Sequence, residues 1–225
     1  MHKALIGFDI NEYPEIEIFQ KYFECDFCEY NEDYFIKNIS KYTILVPHLY
    51  LNLSSKLIGQ AKNLKYLFTP STGTNHIDLQ AVKESDINFY CLSDNADFIS
   101  EISSTAELAW LLILSANRKI IPLNRRVISD NSWKNNDIRG NQLKNKTIGI
   151  IGFGRLGKMV YEYAKSFDMN ILIYDIDENS VLGYENHVID FDGLIKSSDV
   201  ITLHPKLNDT SFEMINRHSI NLMKD

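Results

Sequence analysis

Cysteine is scarce, basic runs are missing and no apolar stretch is long, and each shortage excludes something. Three cysteines in 225 residues make no disulfide framework. Cys25 and Cys28 form a C-x-x-C, yet no second Cys or His pair is spaced to complete four zinc ligands. No metal site is expected, and two packing thiols are the plainer reading. A net charge of −7 without a basic run to track a phosphate backbone excludes nucleic acid as a partner. The most apolar stretch, residues 106–114, falls short of the roughly 20 residues of a membrane span. The N-terminus, MHKALIGFDINEYPE, turns acidic after one short apolar run, unlike a signal peptide. A cytoplasmic protein with no membrane partner is expected. Repeats and low-complexity segments are also lacking. What is there, 44% apolar and 24% charged, is ordinary globular composition with core for one large or two modest domains.

The first half alternates apolar runs with amphipathic segments. Strands are expected at 4–8, 22–27, 43–46, 66–68 and 87–91, and helices at 50–60 and 77–85. That alternation implies an α/β fold, a parallel sheet with helices on both faces. A boundary follows near residue 100. Ser104-x-x-Glu107 reads as a capping box opening a helix apolar on nearly every side, hence expected to be buried all round. A polar stretch, 124–141, carries a lone Trp133.

The second half opens with KTIGIIGFGRLGKMVYEYAKSFDMNILIYDID. Residues 147–151 read as a buried strand, followed directly by Gly152-Phe153-Gly154-Arg155-Leu156-Gly157. Gly152 permits the turn out of the strand, Gly154 lets a pyrophosphate approach bare backbone, and Gly157 lets the helix pack close. The helix start offers unpaired N–H groups and partial positive charge to phosphates. Arg155 sits at the wrong end of the helix dipole, a cost that an arriving pyrophosphate would reverse; a solvated surface arginine is the alternative. Asp175 follows Gly157 by 18 residues, at the tip of the next strand, where a carboxylate accepts from an adenosine ribose. It would repel a 2′-phosphate, and no cation follows nearby, so NAD rather than NADP is the expected coenzyme. Strand, loop, helix, strand and acid in this order make the motif specific. The central position argues against a FAD domain, and the full third glycine against a methyltransferase. Further strands are expected near 187–189 and 200–203.

The runs STGTNHIDL, STAELAWLLILSANRKI, RGNQLKNKTIGIIGFGRLG and SSDVITLHPKLNDTSFEMINRHSINLMKD together resemble the D-isomer-specific 2-hydroxyacid dehydrogenases, including D-3-phosphoglycerate dehydrogenase, over nearly the whole chain. The resemblance implies a flavodoxin-like substrate domain (residues 1–100) and an NAD-binding Rossmann domain (101–225). It implies hydride transfer between nicotinamide and C2 of a small 2-hydroxy or 2-keto acid, and a homodimer for the full-length protein, for which the Trp133 arm would serve. It places Thr72, Gly73 and Thr74 at the substrate, with Thr72 also beside the coenzyme. Arg155 and Leu156 fall on the pyrophosphate, Asp175 on the ribose, and His204 and Pro205 on the adenine-side wall. Thr72-Gly73 also reads as a plain turn, His204 as structural, and His48 as an exposed loop histidine. HPKL departs from the family's H-x-P-L.

The family's catalytic Arg, Glu and His are expected beyond Asp225, which makes the chain a fragment with no catalytic residue of its own. In the Rossmann order 3-2-1-4-5-6 the strands present would supply 3, 2, 1 and 4, leaving 200–203 at an open edge. A non-catalytic NAD(H) sensor or corepressor-like module is the alternative.

Overall fold

The computed structural model describes residues 2–11, 13–28, 31–130 and 137–224; the Trp133 of the expected arm and the terminal Asp225 lie outside them. The chain divides into two compact units, Met1–Ile99 and Ser100–Asp225.

In the first unit β1 (Lys3–Ile6), β2 (Glu24–Phe27), α1 (Glu32–Asn38), β3 (Ile44–Val46), α2 (Ser55–Gln60), β4 (Tyr66–Thr69), α3 (Leu79–Lys83), β5 (Asn88–Cys91) and α4 (Ala96–Ser100) follow in chain order. The strands are all parallel, in the order β2-β1-β3-β4-β5, the flavodoxin-like arrangement. Alternation assigns the faces. Leu5, Leu45 and Leu67 point to one side and pack with Phe35, Leu57 and Val82. Ala4, Ile6, Ile44 and Val46 point to the other, covered by Ile16 and Phe19 of the 3-10 segment Pro14–Lys21. Cys25 packs on this second face and Cys28 on the first, so the two thiols stand on opposite sides of the sheet and cannot share a metal ion.

Two helices are shorter than expected. Residues 50–54 are not helical, because Leu53 bridges Ile77 and buries both itself and Leu51 in extended chain. α3 begins only at Leu79, where the Asp78 carboxylate accepts the Ala81 N–H at 3.0 Å and caps it.

The second unit contains α5 (Ser104–Asn117), α6 (Ile120–Asp130), β6 (Thr147–Ile151), α7 (Arg155–Ser166), β7 (Asn170–Tyr174), α8 (Phe191–Ser197), β8 (Val200–Leu203) and α9 (Arg217–Leu222). Its sheet is parallel with order β7-β6-β8. Ile148, Ile150, Ile171 and Ile173 pack under α5 and α7, while Ile151 and Leu172 pack under α8. The fourth strand expected near 187–189 is a single bridge, Ile173 to Val188. A 3-10 turn, Glu185–His187, consumes the residues before it, with Val188 donating back to Glu185. Among the described residues β8 is an edge strand, and Leu203 at its end is 48% exposed.

Two expectations for α5 are corrected. The capping box at Ser104 does not form: Ser103 is the N-cap residue, and its hydroxyl donates to the Glu107 carboxylate at 2.5 Å instead of capping a backbone group. Nor is the helix buried all round. Ala106, Trp110 and Ile113 are buried, with Trp110 edge-on to Phe167 of the α7 C-cap at 5.0 Å, whereas Leu108, Leu111 and Leu112 are more than half exposed. These three, at i, i+3 and i+4, form one face that no element among the described residues covers. The run Ala96–Arg118 is longer than the apolar stretch read from sequence; its 23 residues are long and apolar enough to cross a membrane by length and composition. In the structure it is two helices interrupted at 101–103.

Candidate coenzyme and substrate site

β6 delivers the chain into the glycine loop, and the geometry gives each glycine a different reason. Gly152 has φ of +85°, and a Cβ there would lie 2.5 Å from the Pro205 nitrogen, so both conformation and space demand glycine. A Cβ on Gly157 would lie 2.2 Å from the Gly152 carbonyl oxygen, a contact that fixes α7 against the loop. At Gly154 the space is open, with nothing within 4 Å of an added Cβ. The first intrahelical donor of α7 is Lys158, bonded to the Gly154 carbonyl, which leaves the N–H groups of Arg155, Leu156 and Gly157 without a partner among the described residues. Open space beside unpaired donors at a positive helix end is the arrangement a pyrophosphate requires.

Asp175 follows β7 and is already engaged. Its Oδ2 accepts the Phe153 N–H at 2.5 Å and its Oδ1 accepts the Asp177 N–H at 2.9 Å. The carboxylate therefore shapes the glycine loop directly, a role that spacing alone does not reveal. Asp177 adds a second negative charge nearby; the backbone N–H of Asn179, with the Asn179 and Ser180 side chains, holds its carboxyl below the usual aspartate value. Arg155 departs from the simple pictures of a solvated or waiting cation: its guanidinium donates to the Ile102 carbonyl just before α5.

His204 and Pro205 follow β8 and lie against Gly152, with the His204 N–H bonded to the Ile151 carbonyl at 2.7 Å. The imidazole Nε2 is 2.9 Å from the Thr202 hydroxyl, and burial lowers the ring's pKa. The structure thus gathers Gly152, Gly154, Arg155, Leu156, Gly157, Asp175, His204 and Pro205 around one loop. A cavity of about 490 Å³ opens elsewhere, along β8 between Asn117, Asn141, Ile215 and Met223, and no glycine-loop residue lines it.

In the first unit, Thr72, Gly73 and Thr74 lie on the loop after β4. The carbonyls of this loop are tied down. Ser71 O receives the Leu92 N–H at 3.2 Å and the Cys91 thiol at 3.0 Å, Gly73 O receives the Ser71 hydroxyl at 2.7 Å, and Thr74 O receives the Ile77 N–H at 2.9 Å. Among the described residues the N–H groups of Thr72, Gly73 and Thr74 have no hydrogen-bond partner, which leaves them available as a backbone seat for an anion. Buried Thr69 braces it, its hydroxyl 2.8 Å from Ser71 Oγ and 3.4 Å from His76 Nε2. Thr69 and Cys91 carry no motif signal, because strands 22 residues apart in sequence bring them to the loop.

Residues 110–225 match the NAD binding domain of the D-isomer specific 2-hydroxyacid dehydrogenases, and residues 6–111 match the catalytic domain of the same enzymes. The chain belongs to this family. It is 33% identical over 192 residues to D-3-phosphoglycerate dehydrogenase of Archaeoglobus fulgidus, covering 84% of this chain and 35% of that protein. It is 34% identical over 197 residues to hydroxypyruvate reductase of Thermotoga maritima, covering 86% of this chain and 61% of the reductase. Among solved structures, D-lactate dehydrogenase from Aquifex aeolicus, complexed with NAD and lactic acid, superposes with a TM-score of 0.82 at 26% identity, over 99% of this chain and 66% of that one. The chain therefore spans between about a third and two thirds of the length of these relatives. Among the described residues no group of His, Cys, Asp and Glu is placed to hold a metal ion.

Proposed function

We propose that this chain supplies the coenzyme seat and the substrate-carboxylate loop of an NAD-dependent 2-hydroxyacid dehydrogenase. The observation that carries the reading is the empty space over Gly154 beside the unpartnered N–H groups of Arg155, Leu156 and Gly157. Those groups bind the pyrophosphate, the Asp175 carboxylate accepts from the adenosine ribose, and His204 and Pro205 wall the adenine side. Asp175 and Asp177 together disfavour a 2′-phosphate, which supports NAD over NADP. Bound there, the nicotinamide supplies a hydride acceptor or donor for C2 of the substrate. The outward N–H groups of Thr72, Gly73 and Thr74 receive the substrate carboxylate and fix which carbon faces the ring. No residue described in this chain is assigned the proton transfer.

Residues 1–100 then form the substrate domain and 101–225 the coenzyme domain. The exposed Leu108, Leu111 and Leu112 face of α5 supports a homodimer. The three free thiols fit a reducing, cytoplasmic setting.

NADH fluorescence titration of the purified chain tests the coenzyme half. Saturable enhancement, with NADPH much weaker, is the expected result; no enhancement at millimolar NADH overturns it. Sedimentation equilibrium of the full-length protein with and without Leu112→Glu checks the dimer.

A further inference from the structure

The N–H groups of Thr72, Gly73 and Thr74 share their peptide groups with the Ser71, Thr72 and Gly73 carbonyls, and two of those carbonyls are held from behind. The Ser71 carbonyl, on the same peptide as the Thr72 N–H, accepts the Leu92 N–H at 3.2 Å and the Cys91 thiol at 3.0 Å. The Gly73 carbonyl, on the same peptide as the Thr74 N–H, accepts the Ser71 hydroxyl at 2.7 Å. Among the described residues the Thr72 carbonyl has only the Cys91 sulfur, at 4.0 Å. A hydrogen bond accepted by a carbonyl draws charge through its amide and makes the N–H of that peptide a stronger donor. Thr72 and Thr74 therefore carry the polarised donors of the loop.

The hydroxyls behind Gly73 form a relay with one direction, which follows from counting hydrogens. Ser71 Oγ carries a single hydrogen, and the Gly73 carbonyl takes it. Thr69 must then donate across the 2.8 Å between Thr69 Oγ1 and Ser71 Oγ, which spends the only hydrogen on Thr69. His76 Nε2, 3.4 Å from Thr69 Oγ1, is left as the donor of the longest link, so the ring carries a hydrogen on Nε2 whether charged or neutral. Every hydrogen thus points from His76 through Thr69 and Ser71 toward the loop, an order in which successive bonds strengthen one another. The base of the relay is fixed. Thr69 is buried and pairs in register with Cys91 across β4 and β5, and the His76 carbonyl accepts the Leu53 N–H at 2.8 Å. The Cys91 thiol obeys the same count: its hydrogen goes to the Ser71 carbonyl, so the Ser93 hydroxyl, 3.0 Å away, donates to the sulfur.

We infer that Ser71 is a positioning residue for the anion seat: its carbonyl, loaded by Cys91 and Leu92, and its hydroxyl, loaded by Thr69 and His76, orient the loop and strengthen the Thr72 and Thr74 N–H groups toward a carboxylate. The inference rests on the proposed role of the 72–74 loop as the carboxylate seat. It adds the groups that tune the seat without touching the anion. Ser71 acts on both sides of the loop because one residue supplies the acceptor ahead of Thr72 and the donor behind Thr74.

Amide NMR of the 225-residue chain with NADH present, titrated with pyruvate, tests this. In Ser71→Ala the Thr74 amide proton is expected to move upfield before pyruvate is added, and pyruvate to bind about two- to fivefold more weakly. Ser71→Thr keeps the hydroxyl and is expected to recover both, a recovery that a packing role would not show. Thr69→Val keeps the Ser71 hydroxyl but removes the bond behind it, and is expected to move the Thr74 amide the same way by less. An unmoved Thr74 amide or an unchanged pyruvate affinity in Ser71→Ala overturns the inference and leaves the carboxylate seat standing. Should Ser71→Ala fail to fold, Thr69→Val decides, and an unmoved Thr74 amide there overturns the inference as well. A wild-type chain whose Thr72, Gly73 and Thr74 amides do not respond to pyruvate loses the seat itself, and this inference with it.

Discussion

Replacing Gly154 with valine separates coenzyme binding from folding. An added Cβ at this position meets nothing within 4 Å, and the residue is extended (φ −74°, ψ −157°), a conformation valine favours. The empty protein is therefore expected to hold its stability to within about 0.5 kcal/mol, the range for substitutions clear of packing and caps. The pyrophosphate meets a different surface, since the isopropyl group occupies the volume through which phosphate oxygens reach the Arg155 and Leu156 N–H groups. Losing two charge-assisted hydrogen bonds at about 1.5 kcal/mol each weakens binding by about 3 kcal/mol, or roughly two orders of magnitude in Kd. The assay pairs an NADH fluorescence titration with a thermal melt of the free chain. An unchanged Kd in Gly154→Val would refute the placement of the phosphates, whatever the melt showed. An unchanged Kd with a lowered Tm would refute the claim of open space as well.

Gly157→Ala should do the reverse: a Cβ 2.2 Å from the Gly152 carbonyl forces α7 off the loop, at about 1–3 kcal/mol of overpacking, visible as a lower Tm before any ligand is added. Asp175→Asn keeps an acceptor for the Phe153 N–H but removes the charge, so NADPH should gain on NADH by about tenfold, given ~1–4 kcal/mol for two charges 4 Å apart; an unchanged NADH-to-NADPH ratio would show the carboxylate does not read the ribose. In the first unit, hydrogen bonds from Tyr42 (2.7 Å) and then Lys3 hold the Asp26 carboxyl below its ordinary value of 3.8. A depressed carboxylate stabilises the fold above the unfolded pKa, and that contribution drains as pH falls below 3.8 through the folded value. Tyr42→Phe should cost about 1.5 kcal/mol near neutral pH and flatten the acid limb of a stability-versus-pH curve from denaturant titrations; an acid limb of unchanged slope would count against it.

How much of this was legible in the sequence follows from distance along the chain. Strands such as 147–151 and 170–174 announce themselves by continuous apolar runs, and Gly152, Gly154 and Gly157 by a spacing whose reasons are local. The missing fourth strand was misread because Val188 and Ile189 are β-formers while the turn at Glu185 that spends their neighbours is set by three residues only. α5 departs for another reason: composition shows apolar residues on every side but not what stands opposite each side, and Ala106, Trp110, Ile113 and Leu114 pack into the core while Leu108, Leu111 and Leu112 stay exposed. The pairs Phe153–Asp175 and Arg155–Ile102 span 22 and 53 residues, and no pattern shorter than the fold itself forecasts them. The Phe8–His48 contact is of the same kind, joining two loops that only the β1–β3 pairing makes neighbours.

The engagement of Arg155 with a main-chain oxygen has a thermodynamic meaning for loading. A guanidinium leaving Ile102 for a diphosphate exchanges one hydrogen-bond acceptor for a stronger, charged one, so its net contribution to affinity is the difference between the two and not the whole of the second. Were Arg155 to take the diphosphate as proposed, the vacated Ile102 carbonyl would turn to water or to another donor, and the residues leading into α5 would respond to a nucleotide held more than fifty positions downstream.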